Sequence, residues 1–337
     1  MKGKRRLLAR VCGAVGITHV LENLLHRDAL LVLNYHRVGN AEETPYDSGT
    51  FGPTAEEFDW QLAYLKSRFH CISLDEAVAM IRGQAPMRQG LLLTFDDGYL
   101  DNYQVAFPML RSHGMQAIFF LPTSFIGTQR LPWWDTIAYI IKHSPKDSFK
   151  ITYPQPAEFQ IEKSRPSVTV FQLLSSCVHN STTDYAPLIE QLENACDCAR
   201  PNGSSERCFL NWDEAREMQA AGMSFGSHTH NHEILSGLPL ERQVTELTES
   251  RTILQRELRR TIDTLAYPVG QRYTFNSDTL TAVQRAGYRA AFSFYGGANV
   301  RENLNWLDVL RADMHSPDTQ LFRLQTTLAA VGRQLAA

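Results

Sequence analysis

An apolar run, Leu91-Leu92-Leu93, stops at two adjacent carboxylates, Asp96 and Asp97, which are followed by Gly98 and a polar turn. A short apolar run bounded by a turn signal is the pattern of a strand buried on both faces, as in a parallel sheet covered by helices. The acids then stand at the C-terminal end of that strand, where α/β barrels keep their chemistry. Neighbouring residues on an extended backbone point to opposite sides, so the two acids are free to take different jobs. Taken alone, the segment also fits a plain Asp-Gly turn.

The rest of the chain sets this strand in a series. Strand patterns are expected over 30–33, 91–95, 117–121, 223–226, 265–267 and 290–294. Between them, helices are expected over 74–82, 103–113, 212–221, 240–259 and 277–286, and another runs from the capping box Thr54-x-x-Glu57 to about residue 67. Repeated βα units imply a parallel sheet, and this many units favours a barrel. Residues 125–210 break the rhythm with frequent Pro, Ser and Thr. They read as an insertion in one domain over 29–337, preceded by an amphipathic helical segment over 1–28.

Bulk properties narrow the partners. The 337 residues allow one large barrel or two ordinary domains, and 43% hydrophobic with 20% charged residues is a globular composition. A formal net charge of -3 makes no case for nucleic-acid binding. No apolar run is long enough to cross a bilayer, so the expected location is the cytoplasm or the membrane periphery. The basic cluster Lys2, Lys4, Arg5, Arg6 and Arg10 precedes a helically spaced apolar stretch. That segment reads as a helix packed on the barrel, with peripheral membrane contact as the functional alternative. Most of the six Cys are read as reduced and structural, and Cys196-Asp197-Cys198 with Cys208 lacks a fourth ligand for a metal clip.

A second cluster lies about 130 residues after the acids. His228, His230 and His232 put three of the 11 His within five positions. If the backbone turns helically there, residues four apart share a face, and His228 and His232 reach one ion. Two His and one carboxylate with an open position form a common catalytic zinc shell.

At this point the sequence resembles the polysaccharide deacetylases, carbohydrate esterase family four with its NodB-like domain. Thr94-Phe95-Asp96-Asp97-Gly98-Tyr99 and Ser227-His228-Thr229-x-x-His232 resemble the first two family motifs. Asn34-Tyr35-His36, Ala266-Tyr267-Pro268-Val269-Gly270 and Ala286-Gly287-Tyr288 agree in order, over roughly residues 29–315. The resemblance implies an irregular (β/α) barrel of seven strands and a metal-dependent hydrolase that removes acetyl groups, N-acetyl above all, from a polysaccharide or glycan. It implies a divalent ion, with zinc expected, on Asp97, His228 and His232, and Asp96 as the base.

The third motif implies an oxyanion donor at the amide of Val269. Leu265 and Ala266 stand where an Arg would support the base, and Arg311 is the candidate replacement from a later strand. His315 is the available general acid, although its sequence context departs from the family's. His36 is a candidate to orient a ligand. Trp133 and Trp134 either face a sugar ring or anchor the insertion, and anchoring is the expectation.

Three other readings compete. A glycosidase needs carboxylates separated across the bond, which adjacent acids do not supply. A barrel hydrolysing a small cyclic amide and an inactive carbohydrate-binding barrel are the remaining alternatives. The oligomeric state is not legible.

Overall fold

The structure is a computed structural model that describes residues 2–24, 28–180, 184–202, 207–313 and 318–330. Strands β1 (Ala29–Tyr35) and β2 (Gly90–Phe95) are buried along their whole length, which is why both read as apolar runs. They are followed by β3 (Ile118–Leu121), an antiparallel pair β4 (Ser148–Ile151) and β5 (Ala157–Gln160), then β6 (Ser224–Ser227), β7 (Thr264–Ala266), β8 (Ala290–Phe292), β9 (Asn299–Val300) and β10 (Ala312–Asp313). The main sheet has the order β10-β1-β2-β3-β6-β7-β8, and each neighbouring pair is parallel. β9 adds antiparallel to the start of β1. These seven parallel strands form the curled sheet of the expected irregular barrel. A bridge from Phe292 to Val309 draws the segment leading into β10 against β8, so the two edges approach each other.

The register sets the level of the site. Tyr35 pairs with Phe95, Leu121 with Ser227, and Ala266 with Phe292. Residues following these partners, including Asp96, Asp97, His228 and Tyr267, therefore emerge together at one end of the sheet.

The helices are α1 (Lys2–Ala14), α2 (Ile17–Leu24), α3 (Ala55–Arg68), α4 (Leu74–Ile81), α5 (Phe107–Ser112), α6 (Trp133–His143), α7 (Pro166–His179), α8 (Ala186–Cys196), α9 (Trp212–Ala220), α10 (Leu240–Leu258), α11 (Ser277–Arg285) and α12 (Thr319–Ala329). α3 opens on the expected Thr54/Glu57 capping box, and Ser73/Glu76 and Asn211/Glu214 repeat the device at α4 and α9. The helix expected over 103–113 differs at its start, where a π-helical turn spans Asn102–Ala106. The physical reason lies just before it. Asn102 donates to the His36 carbonyl at 2.7 Å and Asp101 accepts from Arg37 at 2.7 Å, so the first turn is held by β1's exit rather than by its own ladder.

Between β3 and β6, α6, α7, α8 and the β4-β5 pair enclose a core of their own. Ile137, Ile140, Phe149, Leu173, Leu188 and Leu192 are buried in it. Trp133 and Leu174 touch both this core and that of the barrel. α1 packs on α12 through Ala9, Leu321 and Leu324. Among the described residues no helix is long and apolar enough to cross a membrane.

Candidate metal centre and active site

Asp97 follows β2, and His228 and His232 follow β6. Asp97 Oδ1 lies 3.5 Å from His228 Nε2 and 3.4 Å from His232 Nε2. One ligand atom from each residue falls within 4.8 Å of the others, and all three residues are buried. His228 Nδ1 donates to the Ala266 carbonyl at 2.8 Å, which puts the proton there and leaves Nε2 with a bare lone pair. Asp97 Oδ1 is buried with no hydrogen-bond partner. A partnerless carboxyl oxygen beside the bare Nε2 of His228 and the Nε2 of His232 is the donor set a divalent cation takes.

The electrostatics point the same way. Burial lowers the His228 pKa, and burial together with His228 takes His232 well below the ordinary value. Burial thus favours the neutral rings, the form that ligates. Burial and then the Asp96 charge push the Asp97 carboxyl well above the usual carboxylate range. A positive charge at this point would restore its ionised form.

The histidine loop is not the helical turn that the spacing suggests. Residues 228–232 are irregular, and Thr229 and His232 adopt φ of 64° and 57°. Side chains draw the loop's amides away from helical partners. Ser227 Oγ accepts from the Thr229 amide at 3.1 Å, and Thr229 Oγ1 from the His232 amide at 3.0 Å. Glu246 on α10 accepts from the His230 amide at 3.1 Å and the Asn231 amide at 2.8 Å. The two left-handed residues bring His232 back beside His228 and turn His230 outward. His230 Nδ1 meets Thr123 Oγ1 at 2.8 Å, and its Nε2 lies 3.6 Å from Glu249.

Asp96 faces a different environment. Arg311, wholly buried, donates to both its oxygens, at 2.7 and 2.8 Å, and Asn34 Nδ2 adds a third bond at 3.0 Å. Burial pushes this carboxyl up, but the Arg311 guanidinium outweighs it and holds the pKa well below the ordinary range. Three of about four acceptor positions are taken, which leaves one. His36 Nε2 and His228 Nε2 each lie 3.9 Å from Asp96 Oδ2. Arg311 is held in turn by the Ser293 carbonyl at 2.9 Å and Asn34 Oδ1 at 2.7 Å.

Val269 has φ of 62°, and Gly270 N–H bonds back to the Pro268 carbonyl at 2.6 Å, a γ-turn centred on a β-branched residue. His315 lies outside the described residues.

One partner of Asp96 was not assigned to the site from the sequence. Asn34 carried a signal, a polar residue inside an apolar strand. Trp134 was considered for sugar or for anchoring, and the structure gives it an anchor's contacts and one more. Its ring centre lies 4.4 Å from that of His232, and its indole N–H donates to Tyr99 Oη at 2.7 Å. Tyr99 donates on to Asp135 at 3.0 Å. Trp133 stacks face to face on Tyr185 at 3.9 Å.

A family model described as polysaccharide deacetylase matches residues 84–291, more than half of the chain and both clusters. The chain belongs to the polysaccharide deacetylase family. YxkH of Bacillus subtilis (strain 168), named for the same family, is 23% identical over 277 residues, covering 81% of this chain and 67% of that protein. Among solved structures, the Streptococcus pyogenes deacetylase PplD in complex with acetate superposes with a TM-score of 0.58 at 19% identity, over 89% of this chain and 98% of its own. The de-N-acetylase from Aggregatibacter actinomycetemcomitans gives 0.52 at 20% identity, over 85% and 96%. At these identities the superpositions speak for the fold. The deacetylase is thus a hydrolase of the class that removes acetyl groups from polysaccharides.

Proposed function

We propose that this deacetylase acts on N-acetyl groups with one zinc ion held by Asp97, His228 and His232. The observation that carries the reading is the bare Asp97 oxygen facing His228 Nε2 and His232 Nε2. When bound, the ion supplies a Lewis acid for the acetyl carbonyl and lowers the pKa of a water.

The chain's own residues do the rest. Asp96, kept ionised and immobile by Arg311, takes the proton of the attacking water at its remaining acceptor position. Its low pKa makes it a modest base, so its contribution rests on position. The Val269 amide, presented by the γ-turn, donates to the oxyanion of the tetrahedral intermediate. His315 is assigned to protonate the leaving amine. Trp134 keeps the His232 ring from rotating. The insertion sets which polymer reaches the centre. In support, a cavity of about 670 Å³ lies where Trp133, Tyr185 and Arg130 face Asn231 and Glu233, the neighbours of His232. An N-acetyl substrate fits a centre built for amide hydrolysis, and the Aggregatibacter structure is that of a de-N-acetylase.

Acetate release from N-acetylated and O-acetylated glycans, before and after chelation, tests the reading. Acetate and a free amine should appear together from the N-acetylated polymer, vanish on chelation and return with zinc. Activity that resists chelation, or that is confined to O-acetyl groups, would overturn it.

A further inference from the structure

Large apolar side chains crowd one exposed part of the surface. Six of the nine exposed among the described residues are Leu7, Leu8, Val11, Val15, Ile17 and Val20, on or between α1 and α2. The arrangement inverts what a packed helix does. At about 100° per residue, Leu7, Leu8 and Val11 share one face of α1, and Ala9 and Gly13 lie opposite. The small face is the one turned to α12. Ala9 is fully buried there, and a Cβ at Gly13 would run into the Gln320 side chain. Leu7 is 65% and Val11 50% exposed on the other side.

The segment is not free to roll that face inward. Glu22 on α2 accepts from Arg68 and Arg323, each at 2.8 Å, and from Tyr64 at 2.8 Å, so α2 is tied to α3 and α12. On α1, Arg10 Nε is 3.1 Å from Asp318.

Charge indicates the occupant. Residues 1–21 contain Lys2, Lys4, Arg5, Arg6 and Arg10 and no Asp or Glu, in a chain whose formal net charge is -3. A second copy docking by this face would bring two such cationic segments together, which opposes association. An anionic bilayer complements both features, since its interface takes the apolar face and its headgroups attract the cations. We propose that α1 and α2 dock this deacetylase on the surface of an anionic lipid membrane, without spanning it. The proposal is independent of the metal and of the substrate.

Flotation of the full chain with vesicles decides it. The protein should float with vesicles of phosphatidylcholine and phosphatidylglycerol, stay behind with phosphatidylcholine alone, and detach as salt is raised. Val11→Glu should weaken binding tenfold or more, and Lys2→Gln with Lys4→Gln roughly fivefold per charge. Phe171→Glu, a substitution at an exposed aromatic of the insertion, should change nothing. Acetate release from a soluble substrate should stay at the parent level in every variant, which shows that they fold. Failure to float with anionic vesicles would overturn the proposal, as would undiminished binding by Val11→Glu. A lipid-free dimer that Val11→Glu dissolves, seen by sedimentation, would assign the face to a second copy instead.

Discussion

Six non-glycine residues among those described adopt left-handed backbone angles, and they sit at two kinds of place. Asp197 and Arg259 end α8 and α10. There the conformation closes a helix, and glycine or Asn would serve as well. Asp97, Thr229, His232 and Val269 follow β2, β6 and β7, and Asp97 and His232 belong to the buried metal centre. Each left-handed residue costs roughly 1–2 kcal/mol. Four together are a sizeable share of the about 5–15 kcal/mol that holds a domain folded. At α8 the Asp197 amide bonds back to the Glu193 carbonyl, and at α10 the Arg216 and Gln219 side chains take the Glu257 and Leu258 carbonyls. At the end of β6, the Ser227 and Thr229 side chains within the loop and Glu246 from α10 hold the loop's amides. Strain at strand ends, shared by two side chains of the metal centre, is the mark of a functional site rather than of a loose loop.

The most severe way to break the comparison removes a ligand. His232→Ala should lose the bound metal and nearly all turnover, and His230→Ala, two positions away on the same loop, should keep both. Metal content measured on the purified variants checks this. Equal loss would mean that the loop itself, rather than one imidazole, holds the ion.

Next comes the pair of acids. Asp96→Asn should retain the metal and lose turnover by about a hundredfold or more, as for a missing general base. Release of the metal by this variant would exchange the roles of Asp96 and Asp97.

The tryptophans extend the test to the insertion. Trp134→Ala should lower turnover on polymer and on a small activated acetate ester alike, with a stability loss of about 3–5 kcal/mol for a buried aromatic. Trp133→Ala should spare the small ester and weaken polymer binding. Assaying both substrates beside thermal melts separates the two. A Trp134→Ala variant that keeps its melting temperature and loses only the polymer would make that ring a sugar platform.

The smallest effect bears on the strain itself. Arg259→Gly should stabilise the protein by up to about 1 kcal/mol and leave turnover unchanged. Val269→Gly should relieve similar strain and yet slow the reaction, because the amide it presents is no longer fixed. Urea denaturation and kcat measured on the two variants make the comparison. Unchanged kcat in Val269→Gly would remove the oxyanion role.

The local patterns of the chain were enough to find most of the architecture. Burial on both faces makes β1 and β2 apolar throughout, and the capping box at Thr54 and Glu57 is written within four residues, so these strands and the start of α3 could be read without any fold. Asp96, Asp97, His228 and His232 were legible for the same reason, as short clusters placed at strand ends. Other features depended on residues far apart in the chain. Arg311 reaches Asp96 across 215 positions and Asn34 joins them from β1. A one-dimensional pattern suggested the first by position and did not mark the second as part of the site. The spacing of His228 and His232 suggested a helical turn, and the structure built a left-handed loop instead, because Glu246 on α10 competes for its amides. Periodicity records which face of an element is buried. Where a loop points depends on the hydrogen bonds that distant side chains offer it, and those exist only once the barrel has closed around them.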